Sequence, residues 1–282
     1  MAFARHGRGV RRDFTALLSQ IHPVFMLPPI AASWFGSALA GEFSLSLGAL
    51  HATAIFAAVY TAHVKDGYVD FYLRGEDDDH PLSEAGCKRA LAGATALFFA
   101  CLVALWLLVG PPAALLTLPT WLIAYHHAPQ LDTNPITTTT GYPAGIALAI
   151  LGGFYVQTRS LEPIALAFSL VFLALLSGVK VIDDQQDYAY DVSIEKRTVA
   201  VALGPARARS AAYGLMVLAL ALVVGFALLG IFPPGTTLAA LAFGAVAAVS
   251  RRADPEVATM LLVRGAYVFL ALLLAAVYFR PL

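Results

Sequence analysis

The chain has 282 residues, 59% of them hydrophobic and only 13% charged, with a mean hydropathy of +0.74. A soluble domain carries about 25% charged residues, so this composition excludes an ordinary soluble globule and describes a polytopic membrane protein with little mass outside the bilayer. Lys plus Arg equals Asp plus Glu at 18 each, so net charge points to no partner, nucleic acid included.

Residues 1–20 form a basic segment with Arg5, Arg8, Arg11 and Arg12. The apolar stretch after it is full length and lacks a small-residue cleavage site, so it reads as a first span rather than a cleaved signal. Apolar stretches follow at 22–40, 45–65, 91–110, 113–128, 142–158, 161–181, 211–231, 236–250 and 258–279. A helix needs about 20 residues to cross the hydrocarbon core. The expectation is therefore an all-α bundle of about nine transmembrane helices, one domain over 1–282, with a polar cap on the cytoplasmic side. Gly110-Pro111-Pro112, Glu162-Pro163 and Pro233-Pro234-Gly235 mark the cuts. Thr140 is read as a cap before the fifth span, and the connection from Phe71 to Ala90 as a loop long enough to act as a lid. Of the two cysteines, Cys101 reads as a buried apolar residue.

Basic residues set the orientation. With nine spans, one side receives the amino terminus and the loops holding Lys65, Arg74, Lys88, Arg89, Lys180, Lys196, Arg197, Arg207, Arg209, Arg251 and Arg252. The opposite side has Arg159 and Arg280. Such asymmetry puts the first side in the cytoplasm of a cell membrane.

Two acidic clusters fall on that same side. The first is Asp66 and Asp70, followed by Glu76, Asp77, Asp78 and Asp79; the second is Asp183, Asp184, Asp187 and Asp191. On a continuous helix a spacing of four stacks carboxylates on one face, about 6 Å apart, and like charges so placed repel. Divalent magnesium resolves the repulsion, because it takes carboxylate oxygens and accepts phosphate oxygens as further ligands. Facing clusters of this kind suit a diphosphate, and Lys180, Lys196, Arg197 and Arg74 are candidate cations around it. Glu76 to Asp79 read instead as solvated loop.

These motifs resemble the UbiA-type intramembrane prenyltransferase superfamily. The second cluster continues from Asp191 to Lys196-Arg197-Thr198-Val199-Ala200-Val201-Ala202-Leu203-Gly204, similar to the signature of the quinone-synthesis branches. His80-Pro81-Leu82-Ser83 and His22-Pro23 resemble two further family segments, and Gly153-Phe154-Tyr155-Val156-Gln157-Thr158 looks like a run of the dihydroxynaphthoate polyprenyltransferase (menaquinone) branch. The first motif departs from the family: Asp66 stands for the usual Asn, Gly67 for an Asp, and Arg74 falls where a third acid is expected. The Y-x-x-x-K motif is half present, since Tyr125 has Pro129 four residues on.

The resemblance implies Mg2+-dependent transfer of an isoprenyl group from an allylic polyprenyl diphosphate to a hydrophobic acceptor, within the lipid bilayer. Asp66, Asp70, Asp183 and Asp187 would bind the metal. Asp187, Asp191 and Tyr125 would serve the chemistry, with Asp191 binding metal or orienting the acceptor. Lys180, Lys196, Arg197, Arg74, Tyr68 and His126 would contact substrate, His126 or His127 standing in for the missing lysine. Tyr60, Phe71, Tyr72 and Tyr188 are further aromatic candidates beside an allylic cation. An aromatic quinone precursor is the expected acceptor. A lipid or carotenoid acceptor, or cyclisation without one, are the alternatives inside the superfamily. An ion-coupled transporter is the alternative outside it; its acids belong near the midplane on broken helices.

Overall fold

Proline opens six of the twelve α-helices in the computed structural model, which describes residues 3–41, 43–194 and 196–279. Arg280 and the first two residues of the basic segment lie outside them. The helices are α1 (Val10–Leu18), α2 (Pro23–Leu39), α3 (Leu45–Tyr68), α4 (Glu84–Leu108), α5 (Pro111–His126), α6 (Pro135–Thr158), α7 (Pro163–Asp183), α8 (Tyr188–Ser193), α9 (Val199–Leu203), α10 (Pro205–Leu228), α11 (Thr236–Ser250) and α12 (Pro255–Phe279). Proline suits a first helical position, where its absent N–H has no partner to lose. Hydroxyls cap others: Ser83 Oγ accepts from Gly86 N at 3.0 Å to start α4, and Thr198 Oγ1 from Val201 N at 3.2 Å to start α9.

Each of the nine apolar stretches forms a helix, yet nine is not the number of spans that length and composition give. Among the described residues six helices are long and apolar enough to cross a bilayer, and a seventh follows if α1 and α2, bent by 70°, count as one. At 16 and 15 residues, α5 and α11 rise only about 1.5 Å per residue and fall short of a core about 30 Å thick. Several helices start earlier than their apolar stretch, because a polar first turn such as Glu84 to Arg89 is invisible to hydropathy. In α6 this overturns the cap assigned to Thr140: the helix begins at Pro135, and Thr140 Oγ1 donates back to Ile136 O at 2.7 Å from inside it.

The chain divides into two compact units, Met1–Leu131 with Leu148–Ser160, and Asp132–Ala147 with Leu161–Leu282, so α6 contributes a half to each. In the first unit α3 is central and packs on α2, α4 and α5. No water satisfies polar groups at bilayer depth, and this unit pairs them internally. Ser33 Oγ meets His51 Nδ1 at 2.7 Å, Ser37 Oγ donates to Gly153 O at 3.0 Å, and Gln157 clasps the Ser44 backbone, accepting from N at 2.8 Å and donating to O at 3.1 Å. The Gly153 to Thr158 run thus ties α6 to its neighbours; a side chain at Gly153 would strike the Ser33 carbonyl.

In the second unit α7 packs on α10 and α12, and α11 on α10 and α12. Small residues let the backbones close up: Gly178 of α7 lies against the Ala212 carbonyl of α10. Stacked Phe168 and Phe232, with ring centroids 4.2 Å apart, fill the end of this core. Outward faces carry Leu107, Leu228, Leu241 and Val268 exposed, as a lipid-facing surface requires. The protein is a multi-pass helical membrane protein.

Candidate active site: two acidic clusters and their cations

The first cluster sits where α3 changes geometry. After Tyr68 the chain widens into a π-helical segment, Val69–Arg74, closed by Gly75 at φ 67° and by a bond from Glu76 N to Asp70 O at 2.8 Å. Such widened turns recur at functional positions. Asp66 lies on the last α-turn and Asp70 on the π-segment, both partly exposed. Arg74 turns back on this acid group, with Nη1 3.7 Å from Asp70 Oδ1 and Nε 3.6 Å from Glu76 Oε1. The residue standing where the family has a third acid therefore partly neutralises the second.

The connection after Arg74 is shorter than a lid. Only residues 75–83 separate the π-segment from α4, and the amino-terminal segment straps them down. Arg5 N donates to Pro81 O at 2.9 Å, Ser83 N to Phe3 O at 2.8 Å, and Tyr72 OH to Leu82 O at 2.8 Å. Asp79 accepts from Arg5 and bonds His6 at 2.8 Å, while the Arg5 guanidinium lies 4.2 Å from the centre of the Phe71 ring. His80 is buried against Gly67 and Cys87, and burial lowers its pKa below the usual imidazole range. The lid expectation fails because these bonds hold the loop.

The Tyr68 ring lies 5.6 Å from that of Tyr72 and 5.9 Å from Lys88 Nζ, and Tyr60 donates to Leu17 O. Tyr125 stacks on Trp121 at 5.0 Å and lies edge-on to His126. Sequence reading missed its other neighbour. Lys65 Nζ donates to the Tyr125 carbonyl at 3.1 Å and sits 4.3 Å from the centre of its ring. Of the four lysines, Lys88, Lys180 and Lys196 each face a carboxylate; Lys65, half-buried and adjacent to Asp66, has none among the described residues. His63 on the same helix stands 4.9 Å from His22, ring centre to ring centre. Neither contact is visible in sequence spacing, since each joins residues tens of positions apart.

The second cluster is not one continuous helical face. α7 ends at Asp183, a turn runs through Asp184 to Gln186, and Asp187 precedes α8 with φ −95° and ψ 11°. The four-residue stacking of Asp183, Asp187 and Asp191 is therefore broken after its first member, although Asp191 N still donates to Asp187 O at 2.7 Å. Lys180 is engaged from within its own turn: Nζ lies 2.6 Å from Asp184 Oδ1 and 3.1 Å from Asp183 Oδ2. Lys196 Nζ stands 3.5 Å from Asp191 Oδ1. Arg197 is exposed, in no ion pair among the described residues, and its backbone N–H donates to Asp132 O.

Burial divides this cluster by role. Asp184 and Asp191 are 2% and 1% exposed, whereas Asp187 is open. Asp184 Oδ2 and both Asp191 oxygens are buried without a hydrogen-bond partner. Burial raises the pKa of Asp184, opposed by Lys180, and that of Asp191, opposed by Lys196. Each of these carboxylates has one lysine beside it, and the oxygens left without a donor are costly to bury. Among the described residues no three His, Cys, Asp or Glu side chains are already gathered as a metal cage.

Comparison with known proteins agrees with this picture. No protein-family model matches the chain. It is 30% identical over 204 residues, 67% of each chain, to the 1,4-dihydroxy-2-naphthoate octaprenyltransferase of Mycobacterium tuberculosis. In fold it is similar to a digeranylgeranylglyceryl phosphate synthase, with a TM-score of 0.76 at 14% identity over 95% of this chain and 99% of that one. A UbiA homologue from Archaeoglobus fulgidus bound to GPP and Mg2+ gives 0.68 at 16% identity over 93% and 99%. An apo UbiA homologue from Aeropyrum pernix gives 0.64 at 19% identity over 88% and 97%. The transporter alternative falls with these likenesses: the chain belongs to the UbiA-type prenyltransferases, near the dihydroxynaphthoate branch.

Proposed function

We propose that this protein transfers an isoprenyl group from an allylic polyprenyl diphosphate to an aromatic quinone precursor, with magnesium, on the cytoplasmic face of the cell membrane. The observation that carries the reading is the second cluster, where buried Asp184 and Asp191 keep carboxylate oxygens without donors beside an open Asp187. Magnesium fits this donor set: it takes hard oxygen ligands, and one or two carboxylates with substrate phosphates suffice without a protein cage. The relative from M. tuberculosis supports the acceptor class, and the A. fulgidus homologue with GPP and Mg2+ supports the donor and the metal.

Asp183 and Asp187 in the second unit, and Asp66 and Asp70 in the first, are the metal ligands in this reading. Bound there, magnesium would neutralise charge gathering on the departing diphosphate. Arg197, exposed, and Lys65, neither of them facing a carboxylate among the described residues, donate to diphosphate oxygens. Lys180 holds Asp183 and Asp184 in place rather than reaching substrate, and Lys196 does the same for Asp191. The carbon–oxygen bond to diphosphate breaks, a carbon–carbon bond to the acceptor forms, and the acceptor releases a proton. Asp191, buried and next to Lys196, orients the acceptor. The apolar helices keep water from the allylic cation, and Tyr125 positions Lys65 through its carbonyl and its ring.

Purified protein incubated with magnesium, radiolabelled geranylgeranyl diphosphate and a panel of acceptors tests this. Prenylated dihydroxynaphthoate, absent when magnesium is chelated, is the expected product. A labelled product without acceptor would replace transfer by cyclisation or hydrolysis, and label moving only to a lipid acceptor would replace the quinone precursor.

A further inference from the structure

The second unit carries a groove that the transfer reaction does not use. It lies between the first turns of α10 and the end of α11, has a volume of about 360 Å³, and is lined by Arg209, Tyr213, Gly214, Val217 and Arg251. Two bonds close the helix pair around it: Tyr213 OH to Ser250 Oγ at 3.0 Å, and Arg209 Nη2 to Ala253 O at 2.7 Å. Gln185 Nε2 donates to Pro205 O at 3.0 Å, which puts this end of α10 beside the turn of the second acidic cluster.

The groove has an unmet charge requirement. Arg209 lines the groove partly exposed, and Arg251 is exposed. Neither guanidinium pairs with a carboxylate among the described residues, although Asp254 and Glu256 are close in sequence. A guanidinium that lines a groove without a carboxylate is open to an oxyanion, and phosphate is the one its fork matches. From the arginines the lining passes along α10 to Gly214, which presents no side chain, and then to exposed Val217. The charged end lies where helices leave the bilayer and the apolar end points along a spanning helix.

We infer that this groove binds the phosphate headgroup of an anionic phospholipid, with one acyl chain lying along Gly214 and Val217. The two arginines supply charge complementarity, and the helix pair supplies the bounded, partly apolar seat that a free anion does not need. Basic pockets between membrane helices are suited to such headgroups.

Native mass spectrometry of the full chain, released from nanodiscs of mixed phosphatidylglycerol and phosphatidylcholine, reads this directly. One phosphatidylglycerol should be retained in preference to phosphatidylcholine, and retention should fall as sodium chloride rises. Because Arg209 also holds Ala253, the deciding variant is R251Q, whose side chain is exposed. With helicity unchanged by circular dichroism, it should weaken retention about fivefold, the value of one basic group near an anionic surface. Equal retention of the two lipids, indifference to salt, or an unaltered R251Q would overturn the inference. So would displacement by inorganic phosphate, which would make the groove a free-anion site. Prenyl transfer is not the readout, so failure here leaves the proposed function untouched.

Discussion

The two acidic clusters look alike in sequence and differ in physics. In the first, Asp66 and Asp70 are partly exposed, the helix widens to a π-segment between them, and Arg74 lies back over Asp70. In the second, two carboxylates are withdrawn from solvent, two lysines are fixed against them, and the open Asp187 stands between. Asp70 is only 26% exposed and lies near Asp66 and Glu76, so the first arrangement also needs positive charge, and Arg74 supplies part of it. The second cluster withdraws two carboxylates almost completely and keeps oxygens without a donor, so it holds the stronger demand for a further cation. The difference makes the second cluster the dominant one for turnover and the first a contributor weakened by its own arginine.

The largest expected effect follows from that ranking. Asp187→Ala should lower turnover about 1,000-fold or more, since several kcal/mol of charge stabilisation go with a lost metal ligand. Asp70→Ala should cost less, because Arg74 already offsets that carboxylate. Radiolabel transfer under saturating diphosphate compares the two; equal losses would erase the distinction between the clusters, and an active Asp187→Ala would remove that residue from the site.

Lys180→Met sharpens the comparison from the side of stability. Removing one partner of a buried pair leaves the other charge uncompensated, and about 3 kcal/mol of folding stability should go with it. That is the low end of the usual cost, since the Lys180 side chain is still 29% exposed. Thermal unfolding in detergent measures the effect. An unchanged midpoint would mean that Asp184 needs no cation, and the contrast in burial would lose its meaning.

How much of this was legible beforehand depends on whether a contact is local. Helix positions followed from hydropathy; Lys180 reads in sequence as a diphosphate cation, although its i+3 and i+4 spacing to Asp183 and Asp184 allows the pairing the structure has. The break after Asp183 was not legible, since Asp184-Gln185-Gln186 contains neither glycine nor proline, and the bond from the turn, Gln185 to Pro205 O, spans twenty positions. The strap of residues 3–6 over the 75–83 loop joins positions more than 70 apart, which no periodicity reports. Lys65 escaped for the same reason: its partner is a backbone carbonyl and a ring on another helix.

Lys65→Met tests that missed residue within the weaker cluster. A hydrogen bond to a charged group contributes about 1.5–3 kcal/mol, so kcat/KM should fall roughly 10- to 100-fold, beyond the modest drop in thermal midpoint that loss of the Tyr125 contacts brings. Lys65→Arg should restore part of the loss, because the charge returns. A large fall in stability with unchanged kcat/KM would make Lys65 a strut for Tyr125 and nothing more.

Asp78→Ala should do least. Asp78 lies on the exposed outer part of the strapped loop, while Asp79 beside it carries the contacts to Arg5 and His6. Surface substitutions of this kind stay within about 0.5 kcal/mol, so activity should change by no more than about twofold. The same assay run on Asp78→Ala and Asp79→Ala separates charge from tether. If Asp78→Ala proved as damaging as Asp70→Ala, the acidic run would act as one field rather than as placed ligands, and the first cluster would have to be extended to residue 78.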